Sequence, residues 1–265
     1  QKNDDNALEM YTLQCRNHIL KPLAEKYGID TSDEAIRAAV DQHNEVCRLI
    51  RQIGDFRKEA NPRVTGYEFH ILTMASYVAP KHLILDKLRE TLEEIKTREP
   101  DAADKYRARV VFVGSEVDDV DVIKLVEESG AYVCADRFCY GSLPGRDEII
   151  LNDEEDVVKQ ICRQVQGRAQ CPRYWDMAKM TGRRDYVADL AKEYGADGII
   201  YEQMKFCDPW AYERMIGTIV LRDEHGYPVL AVDRPYSIGS SGQMRTRVQA
   251  FVESIEIKKI QGGKK

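Results

Sequence analysis

Three cysteines sit where a thiol can do chemistry. Cys139, Cys171 and Cys207 fall in the stretches RFCYGS, QCPRY and KFCDPW, each broken by Gly, Pro or polar residues. A thiolate in a polar loop is a ligand for soft metals and for iron–sulfur clusters. The spacings of 32 and 36 residues match no compact ferredoxin-type run, so the fold would have to assemble any cluster. The pattern leaves two readings open: metal ligands, or ordinary loop thiols. The other four cysteines differ. Cys15, Cys47 and Cys162 recur on apolar helical stripes, and Cys134 lies inside a β-branched run, which are positions for buried structural thiols.

A second candidate is SIGSSGQMRTR at 237–247. Its residues Gly239, Ser240, Ser241, Gly242 and Gln243 lead into a helix, so free backbone N–H groups there could bind a phosphate or carboxylate, with Arg245 and Arg247 adding charge. The plainer reading is a strand-to-helix turn. The loop lacks the Lys and Ser/Thr of a nucleotide P-loop, and no GxGxxG follows the first strand, so NAD or ATP binding has no support. Glu202 and Lys205, beside Cys207, are candidates for acid–base or electrostatic roles, or for a surface ion pair. The five histidines form no HxxxH pair.

These residues need elements to position them. From 1 to 106 the chain reads as a charged helical connector segment. Leu8, Tyr11, Cys15, Ile19 and Leu23 form one stripe. Thr31 with Glu34 and Thr65 with Glu68 read as capping boxes. Ile36, Val40, His43, Cys47, Ile50 and Ile53 then mark one helix face, and Leu85, Leu88, Leu92 and Ile95 another. From 107 to 265 short β-rich runs alternate with helices. The strands are expected at 109–114, 131–136, 198–203 and 228–233. The helices are expected at 121–129, from an Asn152–Glu155 cap with an inner face of Val158, Ile161, Cys162 and Val165, and at 184–194, 211–222 and 243–260. Strands separated by helices pair in parallel, which predicts an α/β fold: a Rossmann- or flavodoxin-like parallel sheet with flanking helices, preceded by the helical segment. Ligands in such a sheet bind beyond the carboxyl ends of the strands, where the loops of Cys139 and Cys207 and the 237–247 loop fall.

Composition excludes other classes. The chain has 265 residues, long enough to bury roughly three quarters of its unfolded surface. Its 39 Lys plus Arg against 45 Asp plus Glu give a net charge of −6 with interspersed signs, which argues against a nucleic-acid binder. The longest apolar runs are far short of the roughly 20 residues of a membrane helix, so the chain reads as soluble and cytoplasmic, without membrane partners.

The runs YEQMKFCDPWAYER (201–214), CADRFCYGS (134–142), the Cys171–Pro172 turn, GQMRTRVQAF (242–251) and NPRVTGYE (61–68) together resemble the family of 2-hydroxyacyl-CoA dehydratase and benzoyl-CoA reductase subunits, of the D-component type. The resemblance implies an oxygen-sensitive iron–sulfur protein that takes single low-potential electrons from an ATP-dependent activator, works with a sister catalytic subunit, and passes the electrons to an acyl-CoA thioester. One branch expels the hydroxyl of a 2-hydroxyacyl-CoA through a ketyl radical anion; the other reduces the ring of benzoyl-CoA. The passages 201–214 and 233–247 lean to the benzoyl-CoA reductase branch. A non-catalytic subunit and a double-cubane redox relative share the same fold. Carried over by motif, Cys207 in KFCDP is the cluster ligand. Because a [4Fe–4S] cluster needs about three or four thiolates, the resemblance implies completion by residues outside this chain, which it makes the C-terminal part of a subunit with a further N-terminal α/β domain.

Overall fold

The computed structural model describes residues 4–100, 105–142, 147–168, 170–174, 177–236 and 241–262. Helices α1 (Asp5–Cys15), α2 (Lys21–Tyr27), α3 (Asp33–Asp55), α4 (Gly66–Val78) and α5 (Lys81–Thr97) come first. Next come β1 (Ala108–Val113), α6 (Val120–Glu128), β2 (Ala131–Arg137), α7 (Val157–Arg168) and α8 (Met177–Glu193). The chain ends with β3 (Gly198–Met204), α9 (Asp208–Asp223), β4 (Val229–Arg234) and α10 (Ser241–Gly262). The four strands form one parallel sheet in the order β2-β1-β3-β4, the α/β architecture expected from the alternation of strands and helices.

The period-2 alternation of the strands divides the core between the two faces. Val110 and Phe112 of β1, Val133 of β2 and Ile200 of β3 meet α6 and α10 through Val122, Val126, Val248, Val252 and Ile255. Val111 and Val113 of β1, Ala135 of β2 and Ile199 and Tyr201 of β3 meet α8 and α9 through Val187, Ala191, Trp210 and Leu221. The β1–β2 register slips between Val110 and Val111, and Cys134 falls in that bulge, wholly buried, with its Sγ donating to the Val110 carbonyl at 3.3 Å.

The helical segment has its own core, where Ile50 and Ile53 of α3 pack on Phe69 of α4 and on Leu85, Leu88, Leu92 and Ile95 of α5. Its ties to the sheet and to α6 include three through buried side chains. Arg57 pairs with Asp136 of β2 at 3.0 Å, both buried. The Tyr132 hydroxyl donates to the Val64 carbonyl at 2.7 Å. The Glu127 carboxyl accepts from the N–H groups of Gly66 and Tyr67, at 2.8 and 3.1 Å, at the start of α4.

Local expectations meet tertiary corrections. The Thr65–Glu68 capping box forms as read. Thr31 does not cap α3; Ser32 does, accepting from Ala35 N at 3.3 Å, because Asp30 Oδ1 takes the Ser32 N–H in a preceding turn. Asn152 does not cap α7 either, since its Oδ1 accepts from Glu154 N in a turn, and Asp156 Oδ1 accepts from Lys159 N instead. Val165, expected on the inner face of α7, is exposed. The N-terminal stripe breaks at a π-helical turn, Arg16–Leu20, which turns Ile19 out to solvent. Helices α8 and α9 begin earlier than their patterns indicate, at Met177 and Asp208. Among the described residues no helix is long and apolar enough to cross a membrane.

Candidate functional site

β1 continues to β2 on one side and β3 to β4 on the other, so the connections part between β1 and β3, the place where an open parallel sheet offers a ligand crevice at the carboxyl ends of its strands. The crevice floor is tied by one buried carboxylate. Glu202 of β3 accepts from the Ser115 backbone N–H at 3.0 Å and from its hydroxyl at 2.8 Å, and Ser115 Oγ accepts from Met204 N at 2.6 Å. On its other oxygen Glu202 pairs with Arg234 Nε of β4 at 2.9 Å. Arg234 also donates to the carbonyls of Glu116, Pro235 and Tyr236, so four residues bind three strand ends together. Burial pushes the Glu202 carboxyl up from its ordinary value, opposed by Arg234 and Ser115. Gly114 is needed here, because a Cβ on it would lie 2.5 Å from Glu202 Oε2 and 2.6 Å from its carbonyl oxygen. Glu202 therefore pairs with Arg234 and not with Lys205, which is exposed.

Above this floor the three loop thiols come together. Cys207 is the N-cap of α9, with Pro209 in the first turn, a position where helix N–H groups and the positive helix end favour a thiolate. Before it, Phe206 holds φ 70°, in the left-handed region a bulky side chain avoids, and is 97% exposed. The loop after β2 is held to the loop after β1 by the Cys139 N–H, which donates to the Ser115 carbonyl at 2.9 Å. Cys171 opens a tight turn in which Tyr174 N donates to the Cys171 carbonyl at 2.9 Å. Cys139 lies within electrostatic reach of both Cys171 and Cys207, and Cys207 within reach of Cys171. Cys139 and Cys207 also pack against the same buried cluster on the α8–α9 side of the sheet.

Burial pushes the Cys139 thiol up to about 11, with the Trp210 indole pulling the other way. Burial also raises Cys207, opposed by the Trp210 backbone N–H and the Arg173 guanidinium. The Cys139 thiol is thus protonated and weakly nucleophilic at neutral pH, while a soft metal could displace its proton. Among the described residues no group of three or more His, Cys, Asp or Glu side chains already stands in ligating geometry. The donor set nonetheless fits an iron–sulfur cluster in kind: three thiols on three loops, with N–H groups and a guanidinium on hand for sulfur. Trp210, Arg173 and Gln170 belong to this site and were not singled out from sequence. Their only sequence signal is adjacency, Trp210 three residues past Cys207 and the other two flanking the Cys171–Pro172 turn.

The remaining candidates lie elsewhere. Gly239 and Ser240 of the proposed anion loop, and the side chain of Ser241, fall outside the described residues. Gly242 and Gln243 sit in the first turn of α10, Arg245 pairs with Glu128 of α6 at 2.9 Å, and Arg247 donates to the Ala231 carbonyl at 2.5 Å. Both arginines are therefore engaged with neighbouring elements. Cys47 is buried in the helical segment, and Cys162 of α7 faces Cys15 of α1 with the sulfurs 3.7 Å apart.

A family model described as 2-hydroxyglutaryl-CoA dehydratase, D-component, matches residues 1–255. The chain belongs to that family. Its relatives include the (R)-phenyllactyl-CoA dehydratase beta subunit of Clostridium sporogenes, 25% identical over 238 residues that cover 89% of this chain and 61% of the relative. A benzoyl-CoA reductase subunit of Thauera aromatica is 23% identical over 259 residues, 96% of this chain and 65% of the relative. The (R)-2-hydroxyglutaryl-CoA dehydratase beta subunit of Acidaminococcus fermentans is 25% identical over 260 residues, 96% of this chain and 66% of the relative. This D-component chain spans about three fifths to two thirds of the length of the curated relatives it matches. Those relatives are named as subunits of acyl-CoA dehydratases and of an acyl-CoA reductase.

Proposed function

We propose that this chain is part of a subunit of an iron–sulfur enzyme that uses single low-potential electrons for reductive chemistry on an acyl-CoA thioester, with benzoyl-CoA reduction as the first reading. One observation supports it: Cys139, Cys171 and Cys207, from loops 32 and 36 residues apart, lie within electrostatic reach of one another beside the carboxyl ends of the strands. Cys207 is the ligand the family motif indicates, and this proximity adds Cys139 and Cys171 as candidates beside it. When bound there, a [4Fe–4S] cluster would supply the electron at the low end of a range that extends to roughly −700 mV. The chain's own residues do the rest. The half-buried thiols keep water from the reacting centre, Trp210 fixes the approach of α9 to Cys139, and the Glu202–Arg234–Ser115 floor holds the loops in register. A sister subunit, an ATP-dependent activator and an acyl-CoA are the partners this reading requires.

The names of the relatives favour a second reading, a 2-hydroxyacyl-CoA dehydratase subunit. Iron and sulfide analysis of the natural protein under strict anoxia tests the shared part. We expect about four irons per site, lost or reduced in Cys207→Ser. Iron content indifferent to Cys139, Cys171 and Cys207 would sink the site. Assays with benzoyl-CoA and with a 2-hydroxyacyl-CoA then separate the two branches.

A further inference from the structure

Behind the thiol pocket lies a layer of buried positive charge without matching negative charge. Arg137, the last residue of β2, is 0% exposed. Its Nε and Nη2 donate to the Gln170 side-chain carbonyl at 2.9 and 2.6 Å, and Nη2 also reaches the Gln170 backbone carbonyl at 3.3 Å. Nη1 is buried with no partner. Among the described residues no carboxylate pairs with this guanidinium, which instead faces the rings of Tyr186 and Trp210, 5.6 and 5.9 Å from their centroids.

The neighbouring charges deepen the excess. Arg183 Nη2 and Arg184 Nε of α8 share the single carboxylate of Glu213 on α9, each at 3.0 Å. Arg183 Nε and Arg184 Nη2 have no partner. Among the described residues these three guanidiniums thus have one paired carboxylate, with Arg183 and Glu213 only 3% and 4% exposed. A buried cation without an anion is costly, and buried polar groups left without partners call for a physical reason.

The contacts of these arginines lead to the thiol-bearing segments. Gln170, the hydrogen-bond partner of Arg137, immediately precedes Cys171, and Arg137 itself stands two residues before Cys139. Trp210, its ring partner, stands three residues after Cys207 on the helix that Cys207 caps. Arg183 Nη1 donates to the Tyr174 carbonyl at 2.8 Å, closing the turn that begins at Cys171. The cationic layer therefore touches all three thiol-bearing segments from behind.

We propose that Arg137, backed by Arg183, acts on the thiol site through its charge: the guanidinium, unpaired among the described residues, sets how readily an anionic, thiolate-bound centre there accepts an electron. This rests on the iron–sulfur reading above. Three thiolates bring negative charge that offsets the excess, and one added electron brings more, so a buried cation favours the reduced form. A role confined to packing would leave that equilibrium unmoved.

The test is a midpoint-potential titration of the natural protein with its partner subunits, reconstituted anoxically with iron and sulfide, and read by visible absorbance and electron paramagnetic resonance. Arg137→Met should take up iron and shift the one-electron equilibrium at least tenfold against reduction, which is about 59 mV towards more negative potential. Arg137→Lys, which keeps the charge but not the fork, should recover most of that shift. Glu213→Gln, which deepens the excess, should shift the potential the opposite way, and it decides alone if Arg137→Met does not accumulate. An unmoved potential in an iron-loaded Arg137→Met, or no upward shift in Glu213→Gln, overturns the proposal and leaves the cluster reading standing. A wild-type protein that takes up no iron overturns the cluster reading, and this inference with it.

Discussion

Two adjacent residues at the end of β2 settle their charges in opposite ways. Asp136 is matched: Arg57 donates to one carboxylate oxygen at 3.0 Å, and the Ser142 N–H and hydroxyl donate to the other at 2.6 and 2.9 Å. Burial alone would push this carboxyl up, but Arg57 and Ser142 outweigh it and hold it below the ordinary carboxylate value. Arg57 in turn stacks 3.6 Å over the Phe69 ring, so the pair is a joint between the helical segment and the sheet. Arg137 is unmatched, and its neutral partner leads straight into the thiol pocket. The difference teaches that burial of charge has two uses in this protein. A closed pair fastens elements together, while an open cation, on the inference above, favours added negative charge at the thiols.

The contrast can be broken by experiment. Arg57→Met strands the Asp136 carboxylate in the interior and should cost about 3–5 kcal/mol in denaturant unfolding; a cost below about 1 kcal/mol would erase the distinction. Glu127 offers a third solution, a buried carboxyl with no paired cation, and it sharpens the comparison through pH. Burial pushes it from 4.5 up to about 7, against three backbone N–H donors from Tyr67, Gly66 and Val133. The folded state thus holds this proton more tightly than the unfolded chain. The resulting stabilisation is complete below about pH 4.5 and is lost as pH rises through 7, roughly 3 kcal/mol in all. Stability profiles from pH 5 to 8 should slope downward from this group in the wild type and lose that component in Glu127→Gln.

Smaller effects test the floor and the open cation. Gly114→Ala drives a methyl group into Glu202 and should cost about 1–3 kcal/mol, measured by the same unfolding curves. Arg137→Met, in protein without iron, should change stability by less than about 1 kcal/mol or raise it, because replacing an uncompensated buried ion by an apolar side chain is commonly neutral or favourable. A loss of several kcal/mol would make Arg137 a structural joint like Arg57 and dissolve the contrast.

Much of the fold is legible in the residues alone, and the failures have local causes. The Thr65–Glu68 box, the apolar face Leu85, Leu88, Leu92 and Ile95, and the four strand runs are all found as read, since each depends on short-range periodicity and hydrogen bonding. Thr31 and Asn152 fail as caps because the helices start further along, where Ser32 and Asp156 accept from Ala35 N and Lys159 N, and a motif of residue types does not say which of several candidates prevails. Of the site, the position of the cysteine loops at the strand ends follows from alternating strands and helices. The convergence of the thiols does not.

Sequence by itself determined the succession of strands and helices and hence the edge at which Cys139 and Cys207 emerge, because hydrophobic period and turn chemistry act over a few residues. Tertiary structure alone decided that the Cys171 turn joins them, that Glu202 answers to Arg234 rather than Lys205, and that Arg137 meets Gln170 and no carboxylate among the described residues. Those outcomes depend on distances and burial between residues far apart in the chain, which only the crossovers of the folded sheet create.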